Sequence, residues 1–196
     1  MAPPHVTQEQ IRNVLKNKRL KIESMFAAYK TRHAGIRYTN GTRILFRGQN
    51  LELKFVPDIR YAWKLEDTLI INQKYQEHTH LVLKDFYKAQ AGLIHNRCID
   101  LAKQHHLMPQ KISLRYITSR WGSCSRAGNI SLSIFLIMAP PEVAEYVIIH
   151  ELAHLKHHNH SPEYWSLVAE LAPEFRQHRA WLKQNSHLLR IPDPEL

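Results

Sequence analysis

The chain has 196 residues, 44% hydrophobic and 22% charged, which suffices for a buried core and excludes wholesale disorder. The longest apolar run, Ile134 to Ala139, is far short of a membrane span, and the Met-Ala-Pro-Pro start carries no apolar signal segment. Cys98 and Cys124 are too few for a disulfide framework, so a reducing, cytoplasmic setting is expected. The net charge of +10 is lopsided: residues 1–64 hold 13 Lys/Arg against 4 Asp/Glu, and residues 65–196 hold 14 against 13.

Thr7 with Gln10 forms a capping-box pattern. Ile11, Val14, Leu15, Ile22, Met25, Phe26 and Tyr29 follow at helical spacing, predicting an amphipathic helix to about Ala34 with a basic opposite face. That face, with Arg12, Lys16, Lys18, Arg19 and Lys21, suits nucleic acid or another acidic partner, and equally suits a solvated helix surface. Between Arg37 and Asn72, the segments 43–47, 51–56, 60–64 and 68–72 read as short strands of a small antiparallel sheet. They are punctuated by Asn40-Gly41, Gly48-Gln49-Asn50, Pro57-Asp58 and Glu66-Asp67.

A long helix is predicted from about Thr79 to His106, with Pro109 just beyond it. Two strands, 112–118 and 129–135, flank a turn at Trp121-Gly122-Ser123. Pro140-Pro141 opens a helix over 141–158, Ser161-Pro162 opens the next, and Pro173 a last one ending near Asn185. The tail Ile191-Pro192-Asp193-Pro194 is expected to be loose. The class is α+β, a small antiparallel or mixed sheet packed with helices gathered towards the C-terminal end.

Residues 150–160 read His-Glu-Leu-Ala-His-Leu-Lys-His-His-Asn-His. On a helix, His150 and His154 project from one face about one turn apart, so both imidazoles reach a single cation. Glu151 is rotated by about 100° and misses the inner shell, yet reaches a water activated by the metal. This is the arrangement a zinc hydrolase requires, with the carboxylate as general base. A third ligand must leave one position open. His157 lies roughly 7.5 Å along the axis from the midpoint of the pair, out of comfortable reach of a straight helix. His160 serves if the helix stops and the chain returns, with Asn159 as a left-handed stop before Ser161-Pro162. Glu163 and Glu170 on the next helix are the competing third ligands. Histidine is abundant, with 14 in the chain, so His-Glu-x-x-His alone is weaker than usual. Its place on a helix with an apolar side (Val147, Ile148, Leu152, Leu155) strengthens it.

Taken together, Ser119-Arg120-Trp121-Gly122-Ser123-Cys124-Ser125, Ile130-Ser131-Leu132, Pro140, Tyr146-Val147, the His150–His154 motif and Asn159-His160-Ser161 with Trp165 resemble the YgjP-like metallopeptidase family. The resemblance is strong over about residues 110–183 and looser over 40–105. It implies a zincin-like core in the C-terminal half, one Zn2+ held by His150, His154 and His160, Glu151 as the catalytic base, and a peptide or protein substrate. The chain departs from the family at Ser133, where Asn is common, and at Tyr164, where Phe is usual. The family usually begins with a β-hairpin before the first helix, and Pro3-Pro4 enters just after that point, which is expected to reflect either a misplaced start codon or a shorter sheet. WLM-type and SprT-like proteases, which act on DNA–protein crosslinks, share the core motif. The expected organisation is a basic helix over 1–36, a sheet and long helix over 37–110, the metal-binding core over 111–187 and a tail over 188–196, all in one compact domain.

Other residues carry paired readings. Arg120 could clamp a substrate carboxylate or tie the loop as a buried arginine. Strand 129–133 could pair with an extended peptide as a sheet edge or lie inside the sheet. Cys124 could approach the metal or pack as a small thiol. Tyr164 could reach an oxyanion or fill the core, and Trp165 and Trp181 read as core anchors. His78, His80, His105, His106, His157 and His158 read as exposed polar residues. The leading function is a zinc metallopeptidase. Alternatives are a metal-dependent hydrolase of a non-peptide substrate such as a nucleotide phosphoanhydride, and a nucleic-acid-recruited protease or binding module. No membrane association is expected.

Overall fold

The computed structural model describes residues 37–191. The helix expected before Arg37 lies outside the described residues, as does the chain after Ile191. Within this span seven strands form two sheets, and five α-helices pack with them.

Strands β1 (Arg43–Phe46) and β2 (Gln49–Val56) form an antiparallel hairpin with Phe46 opposite Gln49. Its two-residue loop is Arg47-Gly48, both at positive φ (52° and 77°), the geometry a tight hairpin requires. Strand β4 (Leu69–Asn72) runs parallel to β2, and β3 (Trp63–Leu65) lies antiparallel outside it, giving the order β1-β2-β4-β3. The expected antiparallel sheet is therefore mixed. The segment expected to pair between β2 and β4 instead crosses to the outer edge, leaving β4 to bury Leu69 and Ile71 beside Leu53 and Phe55.

The expected long helix is two: α1 (Thr79–Gln90) and α2 (Gly92–Gln104). The break falls at Ala91-Gly92, where a glycine weakens helix continuity by about 1 kcal/mol. The end of α2 closes on a Schellman pattern, with His106 at φ 54° and Leu107 N–H donating to the Ala102 carbonyl at 2.9 Å.

The second sheet has the order β5-β7-β6. Strand β5 (Lys111–Arg115) is parallel to β7 (Asn129–Ser133), and β6 (Gly122–Cys124) is antiparallel to it. Gly122 and Ser123, read from sequence as a turn, are thus strand residues. The turn comes later, at Ser125–Gly128, where Gly128 has φ 74° and donates to the Ser125 carbonyl. A short 3-10 segment, Ile134–Met138, is wholly buried and leads into α3 (Pro141–Ala153). The tip of the β1–β2 hairpin holds it: Arg47 and Gly48 N–H groups donate to the Ile137 and Met138 carbonyls at 2.8 and 2.9 Å.

Helix α3 is buried nearly all round, which marks it as the central helix. Helix α4 (Pro162–Leu171) and α5 (Phe175–Asn185) pack against it. Arg97 on α2 clamps Glu145 on α3 with a fork of two 2.8 Å hydrogen bonds. Leu189 and Ile191 are buried in the core, so Ile191, the one described residue of the segment expected to be loose, is packed. His80, expected to be exposed, is buried on α1. Residues Tyr38–Ile191 form one packed unit, and no helix among them is long and apolar enough to cross a membrane.

Candidate metal centre and active-site cleft

Helix α3 ends at Ala153, earlier than the expected 158. Its last turn tightens: Leu155 and Lys156 N–H groups reach back only three residues, to the Leu152 and Ala153 carbonyls. The side chain of His154 captures the turn, its Nδ1 lying 3.0 Å from the His157 carbonyl. The reversal uses no left-handed residue, so Asn159 is not the expected αL stop. Ser161 then caps α4, accepting from the Tyr164 N–H, with Pro162 in the first turn. This early stop swings His160 back over the end of α3.

His150, His154 and His160 consequently meet, with one ring nitrogen of each within 4.8 Å of the others. The ring centroids are 4.7–5.2 Å apart. The Nε2 atoms of His150 and His160 face each other at 3.3 Å. Two nitrogens held on one tetrahedral zinc by bonds of 2.0–2.1 Å stand about 3.3 Å apart, so this edge fits a shared ion. In His154 the Nδ1–H bond to the His157 carbonyl frees Nε2 as the donor atom, the support that ligating histidines usually receive. His150 Nδ1 is buried without a hydrogen-bond partner, a costly exception of the sort that functional sites retain. Burial, then the neighbouring His154, His160 and Arg179, depress the His150 pKa to about 4. Its ring is therefore neutral at physiological pH, as a metal ligand must be. His157 lines the cleft but is not part of the cluster, and neither Glu163 nor Glu170 joins it. Glu163 instead accepts a 2.6 Å bond from Ser161 Oγ.

Glu151 is buried on α3, one residue after the first histidine, and lines the same cleft. No described residue hydrogen-bonds its carboxylate. Burial pushes the carboxyl up to about 7, with the Arg120 charge pulling the other way. A buried, unpartnered carboxyl with a raised pKa beside a histidine cluster is a functional-site signature. Gly122 makes the room for it: a Cβ there would stand 2.5 Å from Glu151 Oε1 and 2.6 Å from its Cγ. The sequence reading took Gly122 for a turn residue and missed this close approach.

The cleft encloses about 790 Å³ and is bordered by β6 on one side and the 154–160 turn on the other. Strand β7, considered from sequence as an edge for peptide addition, is the central strand, and the edge at the cleft is β6. Arg120 is exposed and acts on Glu151 through its charge, so the reading as a buried structural arginine is set aside. Cys124 lines the cleft outside the histidine cluster, its thiol turned to the Ser125 carbonyl. Tyr164 is fully buried, and its hydroxyl donates to the His150 carbonyl at 3.0 Å, so it braces α3 and cannot face an oxyanion. Trp165 is half-buried and stacks on His160 and on Phe175.

Two small sheets packed with helices carry a three-histidine cluster that could hold a metal ion, beside a buried glutamate. The chain belongs to the family described as YgjP-like, metallopeptidase domain, which matches residues 1–185. Membership implies a bound metal and a peptide or protein substrate. Among solved structures, the chain is similar to the crystal structure of the metallopeptidase zymogen abylysin of Pyrococcus abyssi. Identity is 24% and the TM-score 0.38, over 46% of this chain and 93% of that one. No curated protein matches.

Proposed function

We propose that this chain is a zinc-dependent peptidase in which His150, His154 and His160 hold the ion and Glu151 is the general base. The observation that carries the reading is the convergence of three imidazoles next to a buried carboxyl that no described residue hydrogen-bonds. Imidazole donors with an open fourth position favour zinc or a close relative. Zinc, when bound, supplies a Lewis acid that polarises a carbonyl and makes water more acidic. Glu151 takes the proton from the attacking water as its oxygen adds to the scissile carbonyl carbon. It then delivers that proton to the departing amine as the C–N bond breaks. Strand β6 is an edge at the cleft, and its free backbone groups suit an extended peptide laid alongside it. Both thiols are free, with Cys98 buried, which supports a reducing, cytoplasmic setting.

The test is metal content by mass spectrometry on tag-free protein, for wild type, His160→Ala and Glu170→Ala, beside peptide turnover by Glu151→Gln. The expected result is about one zinc per chain in wild type and Glu170→Ala, loss in His160→Ala, and a zinc-loaded but inactive Glu151→Gln. Turnover retained by Glu151→Gln would remove it from the role of base. No observation favours a nucleotide phosphoanhydride as substrate. The nucleic-acid reading rests on the net positive charge of residues 1–64, of which 1–36 lie outside the described residues.

A further inference from the structure

The charge around the cleft suggests what kind of peptide it takes. Residues 65–196 are nearly neutral as a whole, with 14 Lys/Arg against 13 Asp/Glu. The rim of the cleft is not. Arg126, just beyond β6, and Lys156, in the turn after α3, both line it and are both exposed. His157 and His158 stand beside them, and among the described residues the only carboxylate in the lining is Glu151 itself. A second depression adjoins the His160–Trp165 stack, lined by Arg176, Arg179 and Lys183 with Trp165 and Phe175 and, among the described residues, by no acid. Arg179 sits over the Trp165 ring at 5.1 Å, and Arg176 over Phe175 at 5.3 Å, so both guanidinium groups are held near the centre by aromatic faces. Among the described residues, none of these five cations forms an ion pair. Glu163 accepts from Ser161 Oγ, and Glu174 faces His178 at 3.9 Å.

We infer that the substrate is an acidic peptide segment, with Asp or Glu on both sides of the scissile bond. Arg126 and Lys156 meet one flank, and Arg176, Arg179 and Lys183 meet the other. The inference rests on the peptidase reading and narrows it. A peptide backbone along β6 enters a cleft whose rim and neighbouring depression carry cations with no ion-pair partner among the described residues, and acidic side chains complete them. Single-stranded nucleic acid, the other polyanion, also needs free aromatic faces on which bases stack. Among the described residues no Phe, Tyr or Trp lines the metal cleft, its histidine rings converge on one another at the centre or stand at the rim, and Trp165 is already stacked on His160 and Phe175 with Arg179 over it. The observations therefore favour an acidic peptide.

The test uses zinc-loaded full-length protein and quenched peptides that share one scissile core and carry Glu, Gln or Lys flanks. The Glu-flanked peptide should exceed the Gln-flanked one by about tenfold in kcat/KM at low salt, mostly through KM. Raising the ionic strength to 1 M, where the Debye length is about 3 Å, should erase most of that advantage. Arg126→Glu with Lys156→Glu, and separately Arg176→Glu with Arg179→Glu, should each reverse the order of Glu and Lys peptides while zinc stays bound. Equal turnover of all three peptides, or a Glu preference surviving both double variants, overturns the inference. If no peptide is cut faster by wild type than by Glu151→Gln, the peptidase reading fails. Fluorescence anisotropy of the same peptides then decides the inference by itself: tighter binding of the Glu peptide upholds it and equal binding ends it. A single-stranded oligonucleotide that binds more tightly and displaces the Glu peptide would overturn it in favour of nucleic acid.

Discussion

At Gly122 the absence of a side chain makes room for Glu151, the proposed base. An alanine there places its Cβ 2.5–2.8 Å from the Glu151 carboxylate and Cγ, so the glutamate must shift. Gly122→Ala is expected to keep its zinc and lose about 100-fold in kcat, since misplacement by an ångström carries that order of cost. Full turnover by the zinc-loaded variant would show that Glu151 has slack. Tyr164 makes the opposite prediction. Its hydroxyl contributes one bond to the His150 carbonyl, and the family usually has Phe there. Tyr164→Phe should lower stability by about 1 kcal/mol in denaturant unfolding and leave kcat close to wild type. A large loss of kcat would reopen an oxyanion role. The convergence of His150 and His154 with Glu151 beside them is legible in the sequence because their spacing is a property of any helix. The roles of Gly122 and Tyr164 are not, because both depend on which element packs across from α3.

Among the elements, the β1–β2 hairpin does more than close a sheet. Its tip bonds to the segment that leads into α3, and a Cβ on Gly48 would meet Pro140 at 2.8 Å. Gly48→Ala combines that collision with a positive φ of 77°. It should cost about 1–3 kcal/mol by thermal or denaturant unfolding, and a neutral result would show that the hairpin tip can lift away. The termination of α3 matters as much. Periodicity carried the helix on to residue 158, whereas the His154–His157 hydrogen bond and the tightened last turn end it at Ala153. That early stop brings His160 into the cluster. The same limit explains the misread strands: the Arg120–Cys124 string has turn-like composition, and only pairing with β7 makes it an edge strand.

For the whole molecule, the metal is expected to act as a staple between α3 and the turn before α4. A ligand present at 1,000 times its dissociation constant stabilises the native state by about 4 kcal/mol. With roughly 2–4 °C per kcal/mol at this chain length, removing zinc with a chelator should lower Tm by about 8–16 °C. Re-addition of zinc should restore it, and His160→Ala should show no such response. A Tm indifferent to chelation in wild type would count against a resident ion.

The helix that carries the histidines, the position of Glu151 beside them, the α+β class and the family were all readable from the chain. Each of these rests on local periodicity, capping or a contiguous motif, which short-range geometry dictates. Folding alone made β6 and not β7 the edge of the cleft, made the first sheet mixed, set Gly122 against Glu151, and brought cations from separate segments to the cleft and to the depression beside Trp165. Those features arise from contacts between residues tens of positions apart, and their energies depend on packing that no local window contains.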